Sequence, residues 1–320
     1  MTIQHNYTFA AALNDALKVN WRVEDLIGGE KTLDFTKPFL PQSLARTDEL
    51  DFLSERERLL LNQIRGATYL HLFGLVEEFI LPFALDRVKD EVRGDKTRTR
   101  AILTFAEEEA KHQELFESFL NEFRRHWRPP FQLIGPATDI ADAVLSNSQL
   151  SVAILILHLE WLTQRHYLES VRTDEHLDPQ FVSLLKHHWQ EEAQHAKIDT
   201  LVAAELASKA TPAEIERAID DFLSIGGLLD GGLQQQVKFD SVALERASGR
   251  HLTDDERATL ETQQLRSYRW TFLVSGLEQN NFARAIEDLS PSGHERVNAT
   301  AYALSAETNQ LETISARVSD

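Results

Sequence analysis

There is no cysteine among the 320 residues. That excludes disulfides, zinc–thiolate sites, iron–sulfur clusters and a thiolate nucleophile. It also excludes a built-in rubredoxin-like electron carrier, so any reducing equivalents the chain used would have to come from outside. Basic residues are few against acidic ones, 33 against 51, for a formal charge of −18. A chain of that sign is a poor partner for nucleic acid or an anionic membrane. The N-terminus, Met1-Thr2-Ile3-Gln4-His5-Asn6, lacks the basic and apolar regions of a signal peptide. The longest unbroken apolar run, Val152 to Leu157, is far too short to cross a bilayer. A cytoplasmic location is the default expectation. Glycine (13) and proline (9) are scarce as well, and no run alternates as a strand would.

What is there is apolar spacing at a helical period almost throughout, in a chain long enough to bury a large core and, at 42% hydrophobic and 26% charged, ordinary for a soluble globular protein. Four long helices are expected: Glu49 to Val88 with a kink or break at Pro82, Thr97 to Trp127, Asp139 to Thr173, and Pro179 to Ser208. Pro129-Pro130, Gly135-Pro136 and Asp178-Pro179 punctuate them, and Pro38-Phe39-Leu40-Pro41 marks an extended or turning arm before them. Thr211-Pro212-Ala213-Glu214 reads as an N-cap, a first-turn proline and an acidic first turn. At least two more helices follow, around 212–236 and 254–287, with Gly226-Gly227 and Gly231-Gly232 as weak points. The expected organisation is an N-terminal arm and short helix (1–48), a four-helix core (49–208) and C-terminal helices packed on it (209–320).

One pattern occurs twice: Glu77…Glu109-Ala110-Lys111-His112 and Glu160…Glu192-Ala193-Gln194-His195, with 32 residues between the lone glutamate and the Glu-x-x-His glutamate in each copy. Residues three apart share a helix face, so Glu109 projects with His112 and Glu192 with His195. Two such pairs and two single carboxylates form the ligand set of a dinuclear iron or manganese site inside a four-helix bundle. Carboxylates bridge metals and offset their charge, and imidazole supplies a neutral nitrogen. A single Glu-x-x-His usually marks a solvated face. Here, however, Glu160 sits in the apolar run Ile154 to Leu162, and Glu77 shares a face with Leu70, Phe73, Ile80 and Ala84. A buried carboxylate without a counter-charge is costly, which implies a cation. Glu77 is preferred to Glu78, whose face carries His71, Gly74 and Leu75. Glu107, Glu108 and Glu191 read as surface acids or groups that support the ligands, and Glu114, Glu117 and Glu169 as solvated. His188, four residues before Glu192 on the same stripe, is a candidate seventh ligand; its counterpart in the first copy is Phe105. His187 points away, and His158 and His166 read as structural. The aromatic residues Phe73, Phe105, Phe116, Trp161, Tyr167 and Trp189 line either a pocket or the core.

The series Glu, Glu-x-x-His, Glu, His-x-x-x-Glu-x-x-His resembles the ligand pattern of the para-aminobenzoate N-oxygenase family, ferritin-like di-iron oxygenases that oxidise aryl amines to nitro compounds. The resemblance covers about residues 50–205. It implies an all-α, ferritin-like four-helix bundle with additional N- and C-terminal helices. It further implies two Fe ions held by Glu77, Glu109, His112, Glu160, His188, Glu192 and His195; the mixed carboxylate and imidazole set also accepts Mn or mixed Mn/Fe. The implied activity is O2 activation through a peroxo intermediate to oxidise a small organic substrate, an amine among the candidates, with an external electron donor. No acid/base residue can be assigned. A homodimer is compatible with such a bundle. Phe116 stands where the radical-generating subunit of ribonucleotide reductase usually has tyrosine, and ferritin and rubrerythrin chains are shorter or carry cysteine-bound iron. The alternatives are another ferritin-like di-iron or Mn/Fe oxidase acting on an aliphatic or amino-acid-derived substrate, and a non-catalytic metal-binding helical protein.

Overall fold

The computed structural model describes residues 3–89 and 92–318, with side chains to residue 306. Among the described residues the architecture is all-α and contains no strand, as the helical spacing predicts. Four long helices form the core: α3 (Glu55–Lys89), α4 (Lys96–His126), α6 (Gln149–Arg165) and α7 (Pro179–Ser208). Helix α3 packs along α4 and α6 along α7, and the two hairpins meet through α4 and α7. Before the core lie α1 (Phe9–Ala16), which leans on α4 and α7, and the short α2 (Gln42–Ala45). Helix α5 (Ala137–Leu145) precedes α6. After the core come α8 (Pro212–Ser248), α9 (Asp254–Arg269), a π-helical segment at Trp270–Val274, α10 (Ser275–Leu277), α11 (Asn280–Leu289) and α12 (Pro291–Val318).

Several helix boundaries differ from the sequence expectation, each for a local reason. Helix α3 starts at Glu55 rather than Glu49 because Ser54 and Glu57 form a reciprocal cap: the Ser54 amide donates to Glu57 Oε2 at 2.8 Å and the Glu57 amide to Ser54 Oγ at 3.4 Å. It runs through Pro82 without a break. Pro82 and Glu78 are both exposed, so the carbonyl that a proline leaves unbonded lies on the solvent side of the helix. The single helix expected from Asp139 to Thr173 is instead α5, then α6, then a π-helical segment at His166–Val171. Ser146 and Asn147 donate back to the Ala143 carbonyl at 2.8 and 2.9 Å, and Ser148 caps α6. Conversely, α8 runs unbroken through both glycine pairs. It is held by the Thr211–Glu214 capping box at one end, Gly249 in the left-handed region at the other (φ 73°), and packing against α3, α6 and α9. Helix α3 also contains a stretch apolar enough, by composition, to span a membrane; 61% of that stretch is buried inside the protein, so its apolar surface goes into the bundle.

Two separate apolar clusters fill the bundle, one toward each end, and the motif residues fall between them. On α3 one cluster ends at Leu75 and the other begins at Phe79, bracketing Glu77. Ala106 and Leu115 bracket Glu109 and His112 on α4; Leu159 and Leu162 bracket Glu160 on α6. Leu185 and Ile198 bracket His188, Glu192 and His195 on α7. The apolar clusters therefore seal a polar layer at mid-bundle and exclude water from it.

Candidate metal centre

The structure brings Glu77, Glu109, His112, Glu160, His188, Glu192 and His195 together in that layer, each at most 4% exposed. Glu78 is exposed, as are Glu107, Glu114, Glu117 and Glu169. Two overlapping donor sets stand side by side: Glu77, His112, His188 and Glu192, and Glu109, His112, Glu192 and His195, with donor atoms in each set within 4.8 Å of one another. Glu192 is central. Its carboxylate lies 2.6 Å from His188 Nε2, 3.2 Å from His112 Nδ1 and 3.4 Å from His195 Nδ1. Glu160 stands outside both sets, against Glu192. His195 Nδ1 lies 2.8 Å from Glu109 Oε1, but neither atom is aligned for a hydrogen bond.

That misalignment recurs across the cluster and bears on what the layer holds. Glu77 Oε2, both Glu109 oxygens, His112 Nδ1, Glu160 Oε2, His188 Nε2 and His195 Nδ1 are buried without a hydrogen-bond partner. Buried polar groups left unpaired cost about 1–3 kcal/mol each, and here six of the seven predicted ligands carry one. Metal ions satisfy such atoms together, and four carboxylates neutralise two divalent cations. The donor set fits a dinuclear centre of iron or manganese.

Two glutamates that the sequence left between surface and support have a defined place. Glu191 on α7 accepts from His112 Nε2 on α4 at 3.0 Å, and Glu108 on α4 accepts from His195 Nε2 on α7 at 2.9 Å. Each residue preceding a motif glutamate thus clamps the opposite helix's histidine, leaving both Nδ1 atoms facing the cluster and fixing the tautomer of each ring. The signal was present in the sequence, because the repeat is Glu-Glu-x-x-His in both copies. Lys111 Nζ sits 2.5 Å from Glu191 Oε1 and 4.2 Å above the Trp21 ring, which is stacked parallel on His112 at 6.3 Å. The arm before the core therefore covers this side of the centre.

Asp199 was not anticipated. It lies four residues past His195 on the same α7 stripe, is 1% exposed, and has an unpartnered Oδ2. Burial raises its pKa well above the usual carboxylate value, and the charges of Glu109 and Glu192 add to this against the opposing His195. Burial and the neighbouring Glu192 likewise push Glu160 well up. On Glu192 itself, burial is outweighed by His188, Glu160 and His195, and the pKa falls well below the usual range. His112 is pushed up to about 9: burial opposes its charge, but the adjacent Glu109, Glu191 and Glu192 prevail. His195 rises for the same reason, through Glu109, Glu192 and Glu108. His188 falls, because burial outweighs the pull of Glu192.

The other three histidines weighed in the sequence are occupied elsewhere. His166 joins the Tyr69 hydroxyl at 3.0 Å to Ser275 Oγ at 3.1 Å, His158 faces the Leu273 carbonyl at 3.0 Å, and His187 Nδ1 the Ser183 carbonyl at 2.7 Å. Of the flagged aromatic residues, Phe73, Phe105 and Phe116 pack against the cluster's imidazoles, and Tyr167 stacks on Trp189.

No family model and no curated protein matches the chain. Solved structures of R2-like ligand-binding oxidases do. One, a point mutant with an aerobically reconstituted Fe/Fe cofactor, is 14% identical with a TM-score of 0.44, covering 81% of this chain and 91% of its own. Another, a mutant with an anaerobically reconstituted Mn/Fe cofactor, is 13% identical with a TM-score of 0.45, over 83% and 93%. Likeness at this level decides nothing about the centre, whose reading rests on its own geometry.

Proposed function

We propose that the chain is a non-haem dimetal oxidoreductase, with Glu77, Glu109, His112, Glu160, His188, Glu192 and His195 as ligands. The observation that carries this is the set of buried, unpartnered ligand atoms converging from four helices on one water-excluded layer. Two irons, or iron with manganese, bound there supply O2 activation. The chain's own residues do the rest. Glu108 and Glu191 hold the two motif imidazoles with Nδ1 inward, His188 makes the α7 side richer in nitrogen than the α4 side, and Asp199 places a buried carboxyl at the edge of the cluster. The finer reading is oxygenation of a small organic substrate, with an amine as the leading class. Insertion of one oxygen atom consumes O2, two electrons and two protons and releases water. The cysteine-free chain has no iron–sulfur or thiol carrier for those electrons, so the reductant is a separate donor.

The test is an anaerobic Fe(II) titration of metal-free protein, followed by admission of O2. Two irons per chain and O2-dependent oxidation of an amine support the reading. Two irons without any O2 consumption mark a structural metal site, and one iron or none overturns the ligand assignment.

A further inference from the structure

The apolar cavity lined by α3, α5 and α8 borders none of the predicted ligands. A much smaller one does: with about 10 Å³, room for about one water, it lies against His188 together with Tyr69, Thr163, His166 and Trp189. We infer that Tyr69 is a redox-active residue, which passes an electron to the dimetal centre and its phenolic proton to His166 Nδ1. This rests on the oxidoreductase reading above.

The two π-helical segments converge on this phenol. His166 opens the first, His166–Val171; Thr271 belongs to the second, Trp270–Val274, and Ser275 follows it. Such segments are rare and gather at functional sites. Here they build a hydrogen-bond chain of fixed polarity. Ser275 Oγ donates to the Thr271 carbonyl at 3.1 Å, so it accepts from His166 Nε2–H at 3.1 Å. That leaves His166 Nδ1 bare to accept from the Tyr69 hydroxyl at 3.0 Å. Burial, helped by Arg165, pushes this imidazole down to about 3 and keeps it neutral; burial also holds the phenol protonated. A phenol that loses an electron becomes a very strong acid, so its oxidation needs a base already in place. His166 is that base.

Tyr69 also has a route to the centre. It precedes Glu77 on α3 by a distance of about 12 Å along the helix axis. Phe73 bridges that gap, its ring centroid 4.6 Å from Tyr69 and 5.8 Å from His188. On the other side Trp270, half-buried, stacks on His166 at 6.0 Å and carries the chain of rings toward the surface. Tyr268 is buried as well and donates to Asp240, but the Arg65 guanidinium lies 3.2 Å from its ring centroid. A cation over the ring face opposes the loss of an electron. At Tyr69, one electron leaves for the O2-oxidised centre and the proton moves to His166, giving a neutral tyrosyl radical beside an imidazolium. An electron from the external donor and the returning proton then restore the phenol. Because burial disfavours the imidazolium, the pair relays the electron and does not store it.

Rapid-freeze electron paramagnetic resonance of the iron-loaded full chain after admission of O2 should show a tyrosyl radical coupled to isotopically labelled histidine. No other tyrosine among the described residues bonds a histidine, so that coupling identifies Tyr69 without a substitution. Tyr69→Phe should abolish the signal and Tyr268→Phe should leave it. His166→Gln keeps an acceptor for the phenol but not a base, and should slow formation of the radical by about a hundredfold. In metal-free protein, ultraviolet photolysis of frozen samples should give a histidine-coupled radical whose hydrogen-bonded proton exchanges in D2O, and His166→Gln should remove that proton. Iron and O2 uptake measured on the same samples separate the two claims. Two irons with O2 uptake but no histidine-coupled radical overturn the inference and leave the oxidoreductase standing. Fewer than two irons overturn the dimetal function; the metal-free photolysis then decides the pair, and a radical without the exchangeable proton overturns it.

Discussion

Glu108 and Glu191 are the most exacting place to test the centre, because they touch the histidines without belonging to the predicted ligands. Replacing either with glutamine keeps the shape and an oxygen that can accept from imidazole Nε2–H, but removes the charge. A hydrogen bond to a charged group contributes about 1.5–3 kcal/mol and a neutral one about 0.5–1.5, so the loss is about 1–1.5 kcal/mol, or about tenfold in metal affinity. For Glu108→Gln, which serves His195 alone at 2.9 Å, that is the whole effect. Glu191→Gln should approach the hundredfold end of the range for groups supporting metal-bound histidines. It also strips the counter-charge from Lys111, whose side chain is only 17% exposed and lies 2.5 Å away. The assay is competition between protein and a chromogenic chelator for Fe(II) without oxygen, with circular dichroism as the control for folding. Glu107→Gln, one residue from Glu108 but exposed, should leave the affinity at the native value. If Glu108→Gln and Glu191→Gln bind iron as tightly as the native chain, or if Glu107→Gln weakens it equally, the clamped-imidazole account is wrong.

Glu160→Ala should abolish binding of the second iron while far-UV circular dichroism stays that of the native helical fold; a variant that retains two irons by elemental analysis removes Glu160 from the ligand set. His112, raised to about 9, stabilises the metal-free protein fully below its unfolded value near 6.5, and that contribution is lost as pH rises through 9. The shift is worth about 3 kcal/mol, so the metal-free Tm should fall across that interval; a flat or rising Tm refutes the charged cluster. Gly227, exposed within α8 and with open space around an added Cβ, should yield up to about 1 kcal/mol of stability on Gly227→Ala by urea unfolding, and a loss would show that its backbone is strained.

The sequence by itself determined the helical class, the identity of the residues that meet at mid-bundle, and which of Glu77 and Glu78 faces the bundle interior. All three follow from the 3.6-residue period, because spacing along a helix dictates which side chains share a face and how apolar that face is. The Thr211–Glu214 cap was legible for the same local reason. What stayed out of reach depends on neighbours distant in the chain. The split between α5 and α6 turned on a few serine and asparagine hydrogen bonds that compete with the helix, and the passage of α8 through two glycine pairs on the packing of three other helices. That Glu108 serves His195 and Glu191 serves His112, 87 and 79 residues away, required the two hairpins to be brought face to face. Asp199 has the right spacing on α7, yet its burial beside the cluster depends on the helices opposite. The apolar cavity lined by α3, α5 and α8 is decided entirely by tertiary structure, since a void belongs to several elements packed together and no single helix encodes it.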